Sequence, residues 1–175
     1  MRKVTYGAAS SFDGYLAGPD EELDWLAWSD DVTAITKDSW KGVDAMLMGR
    51  KTWEFGQKMG GGGGPSKIKT YIFSRTMAGP PEGSVLVRDD AVGFVRELKA
   101  QPGGDIIVMG GGQLGSALIE GGVVDEIGFN IHPLLLGDGI PMFRPITCRV
   151  ELELIEARTI AKGCLLVRYK VINPA

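Results

Sequence analysis

Three short stretches place glycine, hydroxyl or fixed positive charge directly after an apolar run. Gly49-Arg50-Lys51-Thr52 follows Met46-Leu47-Met48, Ser74-Arg75 follows Tyr71-Ile72-Phe73, and Gly110-Gly111-Gly112 follows Ile106-Ile107-Val108-Met109. The third leads into Gln113 and Leu114 and a helix-like run ending at Glu120. A glycine has no Cβ, so an anion can approach the backbone closely. A helix start adds free N–H groups and the positive end of the helix dipole. Arg50 brings a guanidinium fork suited to phosphate, whereas Lys51 could equally be a solvated surface cation. These groups suit phosphate binding. The 110–112 unit fits a pyrophosphate, and two cationic clusters beside it fit a dinucleotide with an extra 2′-phosphate, favouring NADPH over NADH. The plain alternative for 110–112 is a tight strand-to-helix turn.

Two other glycine patterns point elsewhere. Gly110, Gly112 and Gly115 match GxGxxG in form, but the unit comes late in the chain. No acid ends a strand at the distance of about 20 residues that a Rossmann unit needs. After the run Gly60–Gly64 and Pro65, the second Gly and the Lys-Ser/Thr of a phosphate-binding Walker loop fall out of register, and the run is expected to be a flexible connector.

Positioning these groups requires a sheet. Alternation of Val4, Tyr6 and Ala8 with Lys3, Thr5 and Gly7 predicts an opening strand, closed by turn signals at Asp13-Gly14 and Gly18-Pro19-Asp20. Trp25 and Trp28 are spaced as on one helical face, either in the core or walling a pocket. Ser29 is placed to cap a helix beginning at Asp30 and Asp31 and ending near Gly42. Strands are predicted over 44–48, 70–73, 84–87, 105–109 and 124–136, with helices after Gly49 (carrying Trp53 and Phe55), over 91–100, and after Gly112. Two strands over 151–159 and 164–171 form a final hairpin around Lys162-Gly163. The alternation predicts an α/β fold: a mixed, mostly parallel sheet with helices on both faces and a C-terminal antiparallel hairpin, in one domain spanning 1–175. The glycine-bounded segment 134–143 is expected at a pocket rim or a dimer contact.

Composition narrows the function classes. The chain has 175 residues, 44% hydrophobic and 23% charged, with a formal charge of -3. That excludes a disordered chain and offers no basic footprint for nucleic acid. No apolar run reaches the length of about 18 residues that spans a membrane, and the opening MRKVTYGAASS lacks a secretory apolar core, so a cytoplasmic location is expected. Cys148 and Cys164 are expected as buried, reduced thiols. His132 is the single histidine. With two distant cysteines it does not suggest a metal site, and its apolar setting before Pro133 argues against a hydrolase triad.

Taken in order, Ala8, Ala9, Asp13-Gly14, the GRKT at 49–52, the SR at 74–75 and the GGG at 110–112 resemble the motif series of dihydrofolate reductases. The segments GPDEELDW, LMGRKTWE, IFSRT, QPGGDIIVMGGG and IHPLLLGDGIPMF are more similar still to the reductase (C-terminal) domain of the bifunctional riboflavin-biosynthesis deaminase-reductase and its stand-alone small relatives. The resemblance covers nearly the whole chain. It implies the three-layer dihydrofolate-reductase-like fold and hydride transfer from NADPH to a small pyrimidine- or pterin-like heterocycle, as in 5-amino-6-(5-phosphoribosylamino)uracil reduction.

By the same resemblance, Arg50, Ser74 and Arg75 would hold the 2′-phosphate, with Gly49 and Leu114 also among the cofactor-binding residues. Lys51, Thr52 and Gly110, Gly111, Gly112 and Gln113 would hold the pyrophosphate. Ala8, Ala9, Leu16 and Ala17 would border the nicotinamide, and Asp13, Trp25 and Trp28 the substrate. A homodimer is also implied. The chain departs from the pattern where dihydrofolate reductases carry an acid in the first long helix: that position falls near Thr33. Asp31 and Asp24 are the candidate catalytic acids nearby, although Asp30 and Asp31 also suit helix capping. The alternative is a non-catalytic nucleotide-binding or interaction protein that keeps the fold.

Overall fold

The computed structural model describes residues 1–60 and 67–172. The expected glycine connector therefore lies, after Gly60, outside the described residues. The chain opens with β1 (Val4–Ser11), whose Val4 and Tyr6 are fully buried, and turns back into a short β2 (Tyr15–Ala17). Then come α1 (Asp30–Ser39), β3 (Val43–Gly49), α2 (Arg50–Lys58), β4 (Lys69–Phe73) and β5 (Ser84–Val87). The second half is α3 (Ala91–Ala100), β6 (Asp105–Met109), α4 (Gly112–Glu120), β7 (Glu126–His132) and β8 (Ile140–Pro141). A hairpin of β9 (Glu151–Thr159) and β10 (Leu165–Ile172) closes the chain, joined by a single 3₁₀ turn, Ala161–Gly163.

Eight strands form one sheet in the order β5-β4-β3-β6-β1-β7-β10-β9, and β2 pairs with β8 beside it. Pairings from β5 to β7 are parallel, and those of β10 with β7 and β9 are antiparallel. Strands buried on both faces read as continuous apolar runs, which is why 45–48 and 106–108 carry no alternation.

Register separates the two faces. Val4, Tyr6, Leu47, Ile106, Val108, Ile127 and Phe129 point to one face, packed with Val95 and Leu98 of α3 and Leu114 and Leu118 of α4. On the other face Met46, Met48, Ile72 and Ile107 meet Trp53 of α2, while Ile160, Cys164 and Leu166 meet Val32 and Ile35 of α1. This is the mixed, three-layer sheet expected from the sequence.

Four details differ from the sequence reading. Trp25 and Trp28 do not share a helix: 24–28 is irregular, held by turns such as Leu26 N–H to Leu23 C=O. Trp25 packs inward and Trp28 stays 62% exposed. The strand expected over 124–136 is only β7, because Pro133 follows His132 without an N–H and Leu134 N–H turns back to the His132 carbonyl. Cys148 is exposed in an irregular segment, so only Cys164 is a buried thiol. β2 and β8 have no counterpart in the sequence reading, since three and two residues are too few to display a period.

Candidate active site

The three chemistry-bearing stretches sit at the carboxyl ends of neighbouring strands. Gly49 pairs with Phe73, directly before Ser74, and Met48 pairs with Met109, directly before Gly110. Three adjacent strand tips, β4, β3 and β6, are thus separated by about 4.8 Å per step.

The helix starts at these tips are unlike the others. α2 begins at Gly49 and α4 at Gly111, and neither receives a side-chain cap. α1 and α3 are capped by Ser29 Oγ, which accepts from Val32 N–H, and by an Asp90 carboxylate oxygen, which accepts from Gly93 N–H. Gly110 and Gly111 both have positive φ, +56° and +61°, a conformation that favours glycine. Thr52 presses on this turn. A Cβ on Gly110 would lie 2.9 Å from Thr52 Cγ2, and one on Gly111 would lie 3.3 Å from Thr52 Oγ1. The Thr52 hydroxyl therefore faces the glycine turn, joining the 49–52 and 110–112 stretches into one surface.

The charges around this surface are weakly held. Arg50 Nε stands 3.5 Å from Glu54 Oε1, an exposed i,i+4 pair that contributes little. Lys51 and Arg75 are exposed. Ser74 Oγ accepts from Thr76 and Met77 N–H, which orders the turn and leaves its own proton to donate. Glycine turn, uncapped helix starts, hydroxyl and cations together match the donor set a phosphorylated dinucleotide requires. Gln113 is exposed, and Leu114 is buried under α4 and supplies only backbone to this surface.

Next to it, on the face shared by α1 and α2, lies a floor of small residues. Register puts Gly7, Ala9 and Ser11 of β1 beside Gly128, Asn130 and His132 of β7, between the regions covered by the two helices. Ala8 points to the opposite face, and Leu16 also packs there. Ala17 is buried, with its carbonyl against Gly139. Trp25 leans over the floor, its ring edge-on to His132 at 5.2 Å.

The acids named from sequence have structural partners or none. Asp31 accepts from Ala161 N–H at 2.9 Å, tying the start of α1 to the hairpin turn. Asp24 is exposed, and Thr33 Oγ1 donates to the Ser29 carbonyl. Asp13 accepts from Ser11 Oγ at 2.6 Å and from Leu136 and Gly137 N–H. The Ser11 hydroxyl, with the two amides, holds its carboxyl below the usual carboxylate range. It latches the turn after β1 to the 134–139 segment.

Sequence reasoning missed Asn130 and read His132 only negatively. Neither stands out until the register shows which face each occupies.

Comparison with known proteins agrees with this architecture. The structure superimposes on a putative riboflavin biosynthesis protein from Shewanella sp. PV-4 with a TM-score of 0.86 at 22% identity, covering 97% of this chain and 99% of that one. It superimposes on Enterococcus faecalis dihydrofolate reductase, solved with NADP(H), with a TM-score of 0.70 at 15% identity over 97% and 96% of the two chains. Among curated sequences, the uncharacterized protein YyaP of Bacillus subtilis (strain 168) is 30% identical, with 97% of this chain and 95% of that one aligned. The profile of the RibD C-terminal domain matches residues 2–166, nearly all of a chain whose fold is dihydrofolate-reductase-like, and the chain therefore belongs to the RibD C-terminal domain family.

Proposed function

We propose that the chain is an NADPH-dependent oxidoreductase that reduces a small pyrimidine- or pterin-like heterocycle. The observation that carries this reading is the junction of three strand tips where two uncapped helix starts, the Gly110-Gly111 turn and Thr52 converge. Arg50 and Arg75 flank it and would hold the 2′-phosphate. Thr52 and the amides of residues 110–114 would hold the pyrophosphate. NADPH supplies a hydride when bound, so the protein's own task is to orient two reactants and exclude water. A flat ring would lie beside that junction, where β1 and β7 present Gly7, Ala9 and Gly128 on the α1 and α2 side. A relative by fold, from Thermotoga maritima, is described as a deaminase and 5-amino-6-(5-phosphoribosylamino)uracil reductase, and this supports a pyrimidine as the substrate class.

The second reading, nucleotide binding without reduction, is favoured by one observation: Asp31 bonds Ala161 N–H at 2.9 Å. A homodimer is supported by β9, an edge strand with Leu152, Leu154 and Ile155 exposed. An unpaired edge is complementary to its own two-fold copy. Sedimentation of the protein should show twice the chain mass, and Leu154→Lys should return it to one.

Thermal unfolding with NADPH, NADP, NADH and no nucleotide tests the cofactor. Ligand at 100 times its Kd should stabilise the fold by about 2.7 kcal/mol. NADPH oxidation with a panel of pyrimidines and pterins then separates the readings. Firm cofactor binding with no turnover across the panel would favour the second.

A further inference from the structure

Two buried hydroxyls, Tyr6 on β1 and Ser116 in the second turn of α4, grip the same stretch of chain. The Tyr6 hydroxyl donates to the Met142 carbonyl at 2.7 Å, and Ser116 Oγ accepts from Arg144 N–H at 2.8 Å. Between these two bonds Phe143 stands edge-on to Tyr6 and Phe129, with ring centres 5.9 and 5.7 Å away. Residues 141–144 are thereby strapped across the first turn of α4.

Glycine lets these parts come so close. A Cβ on Gly112 would collide with the Pro141 and Met142 carbonyl oxygens, and one on Gly115 would lie 2.5 Å from Tyr6 Cζ. The GxGxxG spacing of 110, 112 and 115 therefore has a packing cause in this fold. Gly110 turns with positive φ, Gly112 admits the strap, and Gly115 seats α4 on the Tyr6 ring.

Two carbonyl oxygens thus lie against the first residue of a helix that no side chain caps. A carbonyl at a helix start is an acceptor for the free amides there, in competition with any anion. The Tyr6 phenol fixes the direction of the Met142 carbonyl. Burial pushes the phenol pKa up, so Tyr6 keeps its proton and stays a donor.

We propose that Tyr6 is a positioning residue for the pyrophosphate of the cofactor. Its hydroxyl holds the Met142 carbonyl away from the amides that open α4, and those amides are kept for the anion. Tyr6 touches no phosphate itself and acts through the strap and the seat of α4. This assignment rests on the reductase reading for the place of the pyrophosphate, and it adds what keeps that place open.

The ³¹P spectrum of bound NADP reports the pyrophosphate and the 2′-phosphate separately. Tyr6→Phe keeps the ring and removes the donor. Calorimetry should show NADP binding weakened about 3- to 10-fold, the worth of one neutral hydrogen bond. The pyrophosphate signals should move toward their free positions while the 2′-phosphate signal stays in place. Ser116→Ala frees the strap at its other end and should give the same pattern, so it carries the test should Tyr6→Phe not fold. Arg50→Ala should do the reverse and move the 2′-phosphate signal alone. Unchanged affinity and pyrophosphate signals in the folded variants would overturn the role of Tyr6. So would a loss in which the 2′-phosphate signal moves equally, as a general loosening of the fold would produce. NADP that does not bind the unsubstituted protein, or a 2′-phosphate signal unmoved by Arg50→Ala, would instead overturn the reductase reading's placement of the cofactor.

Discussion

The two ends of the parallel sheet treat charge in opposite ways. At the amino ends of the strands, cations are buried and matched. Arg2 donates to the Gly104 carbonyl and pairs with Asp44, which also accepts from Gly104 N–H. Lys99, 9% exposed, donates to the Val123 carbonyl and to both oxygens of Asp125, and Asp125 also accepts from Val4 N–H. At the carboxyl ends, Arg50 has a 3.5 Å contact to Glu54, and Lys51 and Arg75 lie exposed above helix starts that no side chain caps. The chain can saturate a cation and cap a helix, as Ser29 and Asp90 demonstrate. Where it does neither, the unmet positive potential marks a place for an anion from outside.

The sharpest break in this contrast is at the closed end. Lys99→Ala removes one partner of a largely buried pair and leaves Asp125 facing α3. We expect a loss of about 2–3 kcal/mol in stability, read by urea unfolding, with nucleotide affinity unaltered. The open end should respond conversely. Arg50→Ala with Arg75→Ala should cut the preference for NADPH over NADH by about 100-fold or more, at nearly constant Tm, since each of the two lost charge-assisted contacts is worth about 1.5–3 kcal/mol. If the preference survives, the phosphate lies elsewhere. Ser29→Ala probes a cap the protein supplies itself. It should cost about 1 kcal/mol of stability and leave nucleotide binding unchanged.

The smallest effect concerns Asp13. Its folded pKa lies below the unfolded value, so the latch contributes stability that is present above the unfolded value, near 3.9, and is lost as pH falls through the lower folded one. Amide exchange at Leu136 and Gly137 should therefore show an acid-limb acceleration that is absent in Asp13→Asn. A pH-independent difference between the two proteins would refute it.

Much of this contrast was legible in the sequence. Glycine and cation after apolar runs located all three strand tips, and Ser29 before Asp30-Asp31 located the cap of α1. The order of the tips in space was not legible, because it depends on crossovers that place β3 between β4 and β6. Trp25 and Trp28 misled because spacing of three is also met in a turn, where the two indoles diverge. Asp31 had two readings, and the bond to Ala161 depends on a hairpin 130 residues away, a separation no local pattern encodes. Asn130 and His132 were hidden for a different reason. In a strand paired on both sides, a polar residue gains its meaning from the register of its neighbours, not from its own context.

Segment 141–143 crosses directly over the start of α4. A Cβ on Gly112 would come within 2.3 Å of the Pro141 carbonyl oxygen, and Tyr6 Oη donates to the Met142 carbonyl at 2.7 Å. This crossing clamps the glycine turn from above, while β8 ties the same segment to β2 near Ala17. Exchanging residues 140–143 between relatives would consequently shift the start of α4 and the β2 ribbon together, as a single inherited cassette.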